Sequence, residues 1–161
     1  MTRAITYPLA LLLAVVACDD GDGDDEGTGA EPLFPADVEA RYTEVRPCMP
    51  SGDHNLNNVR ILVDDAALDP YLERTAPFPE GAVVVKPEYD FGDATCAGDV
   101  VRWTVMRKLP AGSAAGTLDW AWQTVEVDRT VLDEDLPQCI SCHRGCGVAP
   151  DGHDGTCAIL Q

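Results

Sequence analysis

The chain is poor in base. Against 28 acidic residues it carries 11 lysines and arginines, a formal net charge of −17 over 161 residues, and only two of those bases are lysines, Lys86 and Lys108. Nucleic acid is thereby excluded as a partner and an anionic lipid surface disfavoured, because phosphate recognition needs clustered cations. There is no glycine-rich phosphate loop, no serine–histidine–acid arrangement and no internal repeat. The longest apolar run, Leu9 to Val16, is too short to span a bilayer as a permanent helix. The length suits one domain with a core of its own.

That short run has another use. Met1-Thr2-Arg3 gives a positive start, the apolar run follows, and Ala17-Cys18 ends it, which is the pattern of an export signal. Val15-Val16-Ala17-Cys18 resembles a bacterial lipobox, so residues 1–17 are expected to be a lipoprotein signal peptide and Cys18 the lipid-modified first residue of the mature protein. Residues 18–34 follow as an acidic flexible tether, since Asp19-Asp20-Gly21-Asp22-Gly23-Asp24-Asp25-Glu26 cannot bury apolar surface. The folded domain is expected over 35–161. The expected location is the bacterial cell envelope, on its periplasmic or outer face, with the membrane contacted through the N-terminal lipid alone. Loss of residues 1–17 removes only Arg3 and leaves 28 acids against 10 bases, a charge of −18 that permits a basic redox partner protein.

The chemistry concentrates at Cys139-Ile140-Ser141-Cys142-His143. In an exported protein C-x-x-C-H is the attachment signature of a c-type haem: two thiols add across the porphyrin vinyl groups and the histidine reaches the iron. Two intervening residues let one tight turn present both thiols to one edge of the macrocycle. Two other readings use the same atoms. Cys139 and Cys142 can be ordinary disulfide partners in a haem-free, disulfide-braced structural or interaction lipoprotein. Cys139, Cys142, His143 and Cys146 can also be a zinc set, although adjacent Cys142 and His143 fit two corners of one tetrahedron poorly. If one covalent haem c takes Cys139 and Cys142, then Cys48, Cys96, Cys146 and Cys157 remain as disulfide candidates in any of three pairings.

Upstream, the sequence predicts a helix within Glu31 to Arg46, with Pro35 in its first turn and Pro47 as its stop. Cys48 to Asn58 reads as a loop, and its lone His54 is expected to face solvent. Val59 to Val63 reads as a strand, Ala66 to Leu72 as a helical turn, and Ala82 to Lys86, Val100 to Leu109 and Thr117 to Val127 as further strands. Gly- and Ala-rich 110–116 suits a hairpin connection. The expected class is α+β, a mainly antiparallel sheet with a few short helices, with Trp103, Trp120 and Trp122 in its core. On local sequence Lys86 is a charged group in an apolar strand, one that snorkels to solvent or reaches a partner.

Asn58-Val59-Arg60-Ile61-Leu62-Val63, Phe78-Pro79-Glu80-Gly81-Ala82-Val83-Val84-Val85-Lys86, the Trp103 to Lys108 strand, Leu118-Asp119-Trp120-Ala121-Trp122 and the C-x-x-C-H motif follow one another in the chain. In that order they resemble the cytochrome P-460 family and the related beta-sheet cytochromes c-prime. The chain resembles that family over most of residues 35–157. The resemblance implies a homodimeric antiparallel-sheet haem protein, with Cys139, Cys142 and His143 holding the cofactor, His143 binding the metal, and the opposite side of the haem open. In the hydroxylamine-oxidising members a lysine is bonded to the porphyrin, and Lys86 stands at the matching position. In the beta-sheet cytochromes c-prime that bond is missing and small gases such as nitric oxide bind. Pro87 departs from the family's usual glutamate; the oxidising members use an acidic group to handle substrate protons, and Glu88 is taken as its candidate here. The expected function is therefore redox chemistry on, or binding of, a small nitrogen compound, or electron transfer, with the haem oxidoreductase only one of these.

Overall fold

The β-branched runs pair with one another in chain order. In the computed structural model, which describes residues 27–52 and 54–157, one sheet is built from β1 (Thr43–Pro50), β2 (Asn58–Val63), β3 (Val83–Tyr89), β4 (Val100–Lys108), β5 (Trp120–Val125) and β6 (Val131–Glu134). Their order is sequential and every neighbouring pair is antiparallel. Helices α1 (Val38–Arg41), α2 (Asp65–Glu73) and α3 (Pro137–Arg144) and a small hairpin of β7 (Gly152–His153) and β8 (Thr156–Cys157) complete the fold. This is the expected mainly antiparallel α+β class. The leader expected over 1–17 and the lipidation expected at Cys18 lie outside the described residues.

The sheet is covered on both faces, which explains the near-continuous apolar run of β3. Strand side chains alternate. Val83 and Val85 join Phe34, Val38, Leu62, Val105, Val125 and Val131 on one face. Val84 joins Ile61, Val63, Met106, Trp120, Trp122, Tyr71 of α2 and Ile140 of α3 on the other. Each such side chain contributes roughly 1.5–3 kcal/mol of burial. Lys86 and Glu88 continue the Val84 face, so the same alternation that builds the core aims two ionisable groups at the space beneath α3. At the entry to α2, the Asp64 side chain accepts from the Ala67 N–H at 2.9 Å and starts the helix.

Three expectations about the chain's elements differ from the structure. The helix expected within Glu31 to Arg46 is reduced to Val38–Arg41, and Thr43–Pro50 is an edge strand. β-Branched Thr43 and Val45 favour extension, and Pro47 and Pro50, which have no N–H to give, are tolerated on an edge with two register shifts. Secondly, residues 27–34 pack although the tether was expected to reach 34. Thr28 N–H donates to Val131 O at 2.7 Å, Leu33 N–H donates to Gln123 Oε1 at 2.9 Å, and Phe34 is buried. Leu33 and Phe34 bring apolar surface that the preceding acidic run lacks. Thirdly, β6 adds a strand that the short Val131–Glu134 segment did not announce.

Candidate functional site

Pro137 sits in the first turn of α3, and the motif lies on this helix rather than in a tight turn. Helical spacing still serves it, because residues three and four apart share a face. Cys139, Cys142 and His143 therefore present two sulfurs and an imidazole together. The other described cysteines pair as Cys48–Cys96 and Cys146–Cys157, which leaves Cys139 and Cys142 as free thiols. The disulfide use of Cys139 and Cys142 is thus not the one adopted. The zinc set loses Cys146 to its disulfide, and among the described residues no group of three or more His, Cys, Asp or Glu is placed to hold a metal ion. Burial pushes the Cys139 thiol up, while Lys86 pulls it down.

His143 is buried, and its ring orientation is fixed from below. Nδ1–H donates to Gly155 O at 2.6 Å, so the lone pair of Nε2 faces the opposite way. Asp154 and Gly155, at φ 46° and 85°, form the two-residue turn between β7 and β8, a conformation that Asp-Gly is suited to. Three bonds hold this turn: Trp120 Nε1–H donates to Asp154 O at 2.9 Å, Lys108 Nζ to Asp154 Oδ1 at 2.7 Å, and Phe78 N–H to Asp154 Oδ2 at 3.0 Å. Lys108 is accordingly structural. A Cβ at position 152 would run into Cys146 O and meet Thr156 O at 2.6 Å, so the hairpin approaches the end of α3 as only glycine allows. Trp122 meets the His143 ring edge-on at 4.7 Å. Burial, then the Lys86 charge, lowers the imidazole to a pKa of about 3, leaving the neutral form that ligates metals.

The Cys146–Cys157 bridge closes this clamp. Replacing both cysteines by serine is expected to cost about 3 kcal/mol, from the loop entropy of an 11-residue separation. Urea titration measures it; a loss under about 1 kcal/mol would mean that the hairpin is held without the bridge.

Between α3 and the sheet lies a cavity of about 570 Å³, lined by Cys139, Cys142, His143, Trp122, Lys86 and Glu88 among others. Lys86 Nζ stands 3.3 Å from His143 Nε2 and 3.2 Å from His54 Nε2. Its reach into the cavity settles the two local readings in favour of a partner. His54, expected to face solvent, has a side chain only 16% exposed, and its Nδ1 lies 3.3 Å from Glu88 Oε1. Glu88, 1% exposed, also accepts from Asn57 Nδ2 at 3.0 Å and from Arg102 Nη2 at 3.1 Å. Burial alone would raise its carboxyl, but the hydrogen bonds from His54 and Asn57 and the Arg102 charge overcome that and bring the pKa down to about 2. Arg102 was legible only through register: it is the direct cross-strand partner of Glu88.

These residues fit a haem. The cavity offers two adjacent thiols without disulfide partners and an imidazole whose free nitrogen faces the same space. Two buried polar atoms on its wall, Arg102 Nε and Thr104 Oγ1, have no hydrogen-bond partner among the described residues and are placed to meet a polar guest. Apolar Trp122, Val84 and Ile61 supply the lining that a porphyrin face needs.

No curated protein matches the chain at a significant level. The family described as Cytochrome P460 matches residues 40–148, a span that begins within α1 and takes in the six-stranded sheet, Lys86, Cys139, Cys142 and His143. With that match over most of its length, and with the sheet, the free thiol pair and the buried histidine in one place, the chain belongs to the cytochrome P460 family.

Proposed function

We propose that this protein is an exported, lipid-anchored cytochrome carrying one covalent haem c, which acts on or binds a small nitrogen compound such as hydroxylamine or nitric oxide, or passes electrons. The observation that carries this reading is the convergence of Cys139, Cys142 and His143 on one cavity while every other described cysteine is in a disulfide. Cys139 and Cys142 would hold the porphyrin by thioether bonds, and His143 Nε2 would bind the iron. The haem, when bound, supplies the redox and ligand-binding chemistry. The chain's own part is to fix the imidazole through Gly155, to bring Lys86 to the cofactor, and to wall the cavity with Trp122 against bulk water. Two disulfides suit an oxidising compartment, in keeping with the export expected from residues 1–17 and the lipid expected at Cys18.

Mature protein produced with a haem-maturation system is expected to be coloured, to give a c-type pyridine-haem spectrum, and to carry the mass of one haem. A colourless product of apo mass would leave the haem-free lipoprotein instead. Lys86 divides the finer readings. A bond from Lys86 to the porphyrin would survive denaturation and disappear with its spectral signature in Lys86→Met, along with turnover of hydroxylamine by an added electron acceptor. An unchanged spectrum in that variant would favour gas binding or electron transfer.

A further inference from the structure

We propose that His54 is the proton acceptor of the cavity and that Glu88 holds it in that role. The inference rests on the haem reading of the site above, and it moves proton handling from the carboxylate to the imidazole.

A carboxylate is the obvious first choice, and among the described residues Glu88 is the only one that is fully buried. Its oxygens, however, are already engaged by His54, Asn57 and Arg102. A carboxylate held ionised by three donors has little tendency to take up a proton. What it does instead is orient a ring. Because a carboxylate oxygen only accepts, His54 Nδ1 carries the hydrogen, and Nε2 is left with its lone pair. That lone pair meets the Lys86 ammonium, which only donates, at 3.2 Å. His143 is set the same way, with Nδ1–H on Gly155 O and Nε2 on Lys86. Two imidazole nitrogens therefore point at one ammonium within the cavity, one carried by α3 and the other by the loop between β1 and β2.

That loop is shaped to deliver His54. Ser51 N–H donates to Asn57 O at 2.9 Å and Asn57 N–H donates to His54 O at 2.8 Å, closing a tight reversal. Asn55 and Leu56 both lie in the left-handed region, at φ 54° and 64°. For leucine this is unfavourable, and such strain collects where a side chain must be presented in one direction. Asn57 from the same loop binds Glu88, so loop and carboxylate are fixed to each other. The Cys48–Cys96 bridge anchors the end of β1 that leads into the loop.

A small acid H–X entering the haem-loaded cavity would give its proton to His54 Nε2 as the Lys86 ammonium turns from that nitrogen towards the anion X⁻, for which a bound haem would supply the binding site. The Lys86 ammonium stabilises the anion as it forms, and no oxidant or reductant is consumed. Hydrogen cyanide is a suitable probe, because it must lose its proton to bind as cyanide. In the haem-loaded full chain, His54→Leu is expected to slow cyanide association about 100-fold, the ordinary contribution of a positioned base. His54→Gln, which accepts a hydrogen bond but does not keep a proton at neutral pH, should be as slow as His54→Leu. Glu88→Gln should lose roughly tenfold, acting through the ring it holds. Equal association rates for the parent protein and His54→Leu would overturn the proposal while leaving the haem reading intact. So would a low-spin resting spectrum that turns high-spin in His54→Gln, since His54 would then be an iron ligand. A chain that matures without covalent haem overturns both readings.

Discussion

Replacing Cys139 and Cys142 together by alanine is expected to give a folded protein of apo mass that holds no haem through denaturing gel electrophoresis. Single replacements should retain one thioether, with a shifted absorption maximum. The effect is large because both bonds come from these two sulfurs, and no other described cysteine is free to substitute. The fold itself should hardly notice. Neither thiol is in a disulfide; Cys142 is exposed and Cys139 only partly buried. Truncating such side chains typically costs within about 1 kcal/mol when no cavity opens in the core. Near-equal urea midpoints for the apo forms of parent and variant, with colour appearing only in the parent after haem maturation, are the expected pair of results. Covalent haem persisting in the double variant would show attachment elsewhere, with Lys86 as the first place to look. His143→Ala separates attachment from ligation: the thioethers should form, and the axial imidazole signature should vanish.

The sequence was informative where one residue type has one physical use. C-x-x-C-H located the site because sulfur pairs at that spacing have few roles in an exported chain. The β-branched runs at 59–63, 82–86 and 100–109 became β2, β3 and β4, since a strand covered on both faces leaves no other reading. Lys86 stood out as a charge in such a strand. What stayed hidden depends on contacts between distant segments. Thr43–Pro50 carried proline and helix-like spacing, and only the free edge of β2 makes it a strand. His54 in a polar loop has no local mark of burial; its partners Lys86 and Glu88 lie more than thirty residues away. Gly155 offered one local clue, the Asp-Gly turn, but its carbonyl acquires meaning only beneath His143. The remaining disulfide candidates allowed three pairings, and chain topology chose Cys48–Cys96 and Cys146–Cys157.

Glu88 links this hidden network to stability, and its removal carries the second large effect. Glu88→Ala is expected to cost about 3–5 kcal/mol, because it strands the Arg102 guanidinium and leaves His54 Nδ1 and Asn57 Nδ2 without their acceptor. The milder Glu88→Gln isolates the charge. In the folded protein the carboxyl titrates at about 2 against an ordinary 4.5. A depressed carboxyl stabilises the fold above its unfolded value, and the stabilisation is lost as pH falls through the folded one. At about 1.4 kcal/mol for each factor of ten, the fall from 4.5 to about 2 is worth roughly 3 kcal/mol. Urea titrations of the apo protein at pH 7 and at pH 3 should therefore show parent and Glu88→Gln far apart at neutral pH and converging in acid. His143 also destabilises the fold in acid, as an imidazole held near 3 must remain neutral while the unfolded chain protonates near 6.5. That loss is common to both proteins and cancels in their difference. A gap that stayed constant from pH 7 to pH 3 would mean that Glu88 acts through packing rather than charge, and the orientation of His54 by an ionised carboxylate would fall with it.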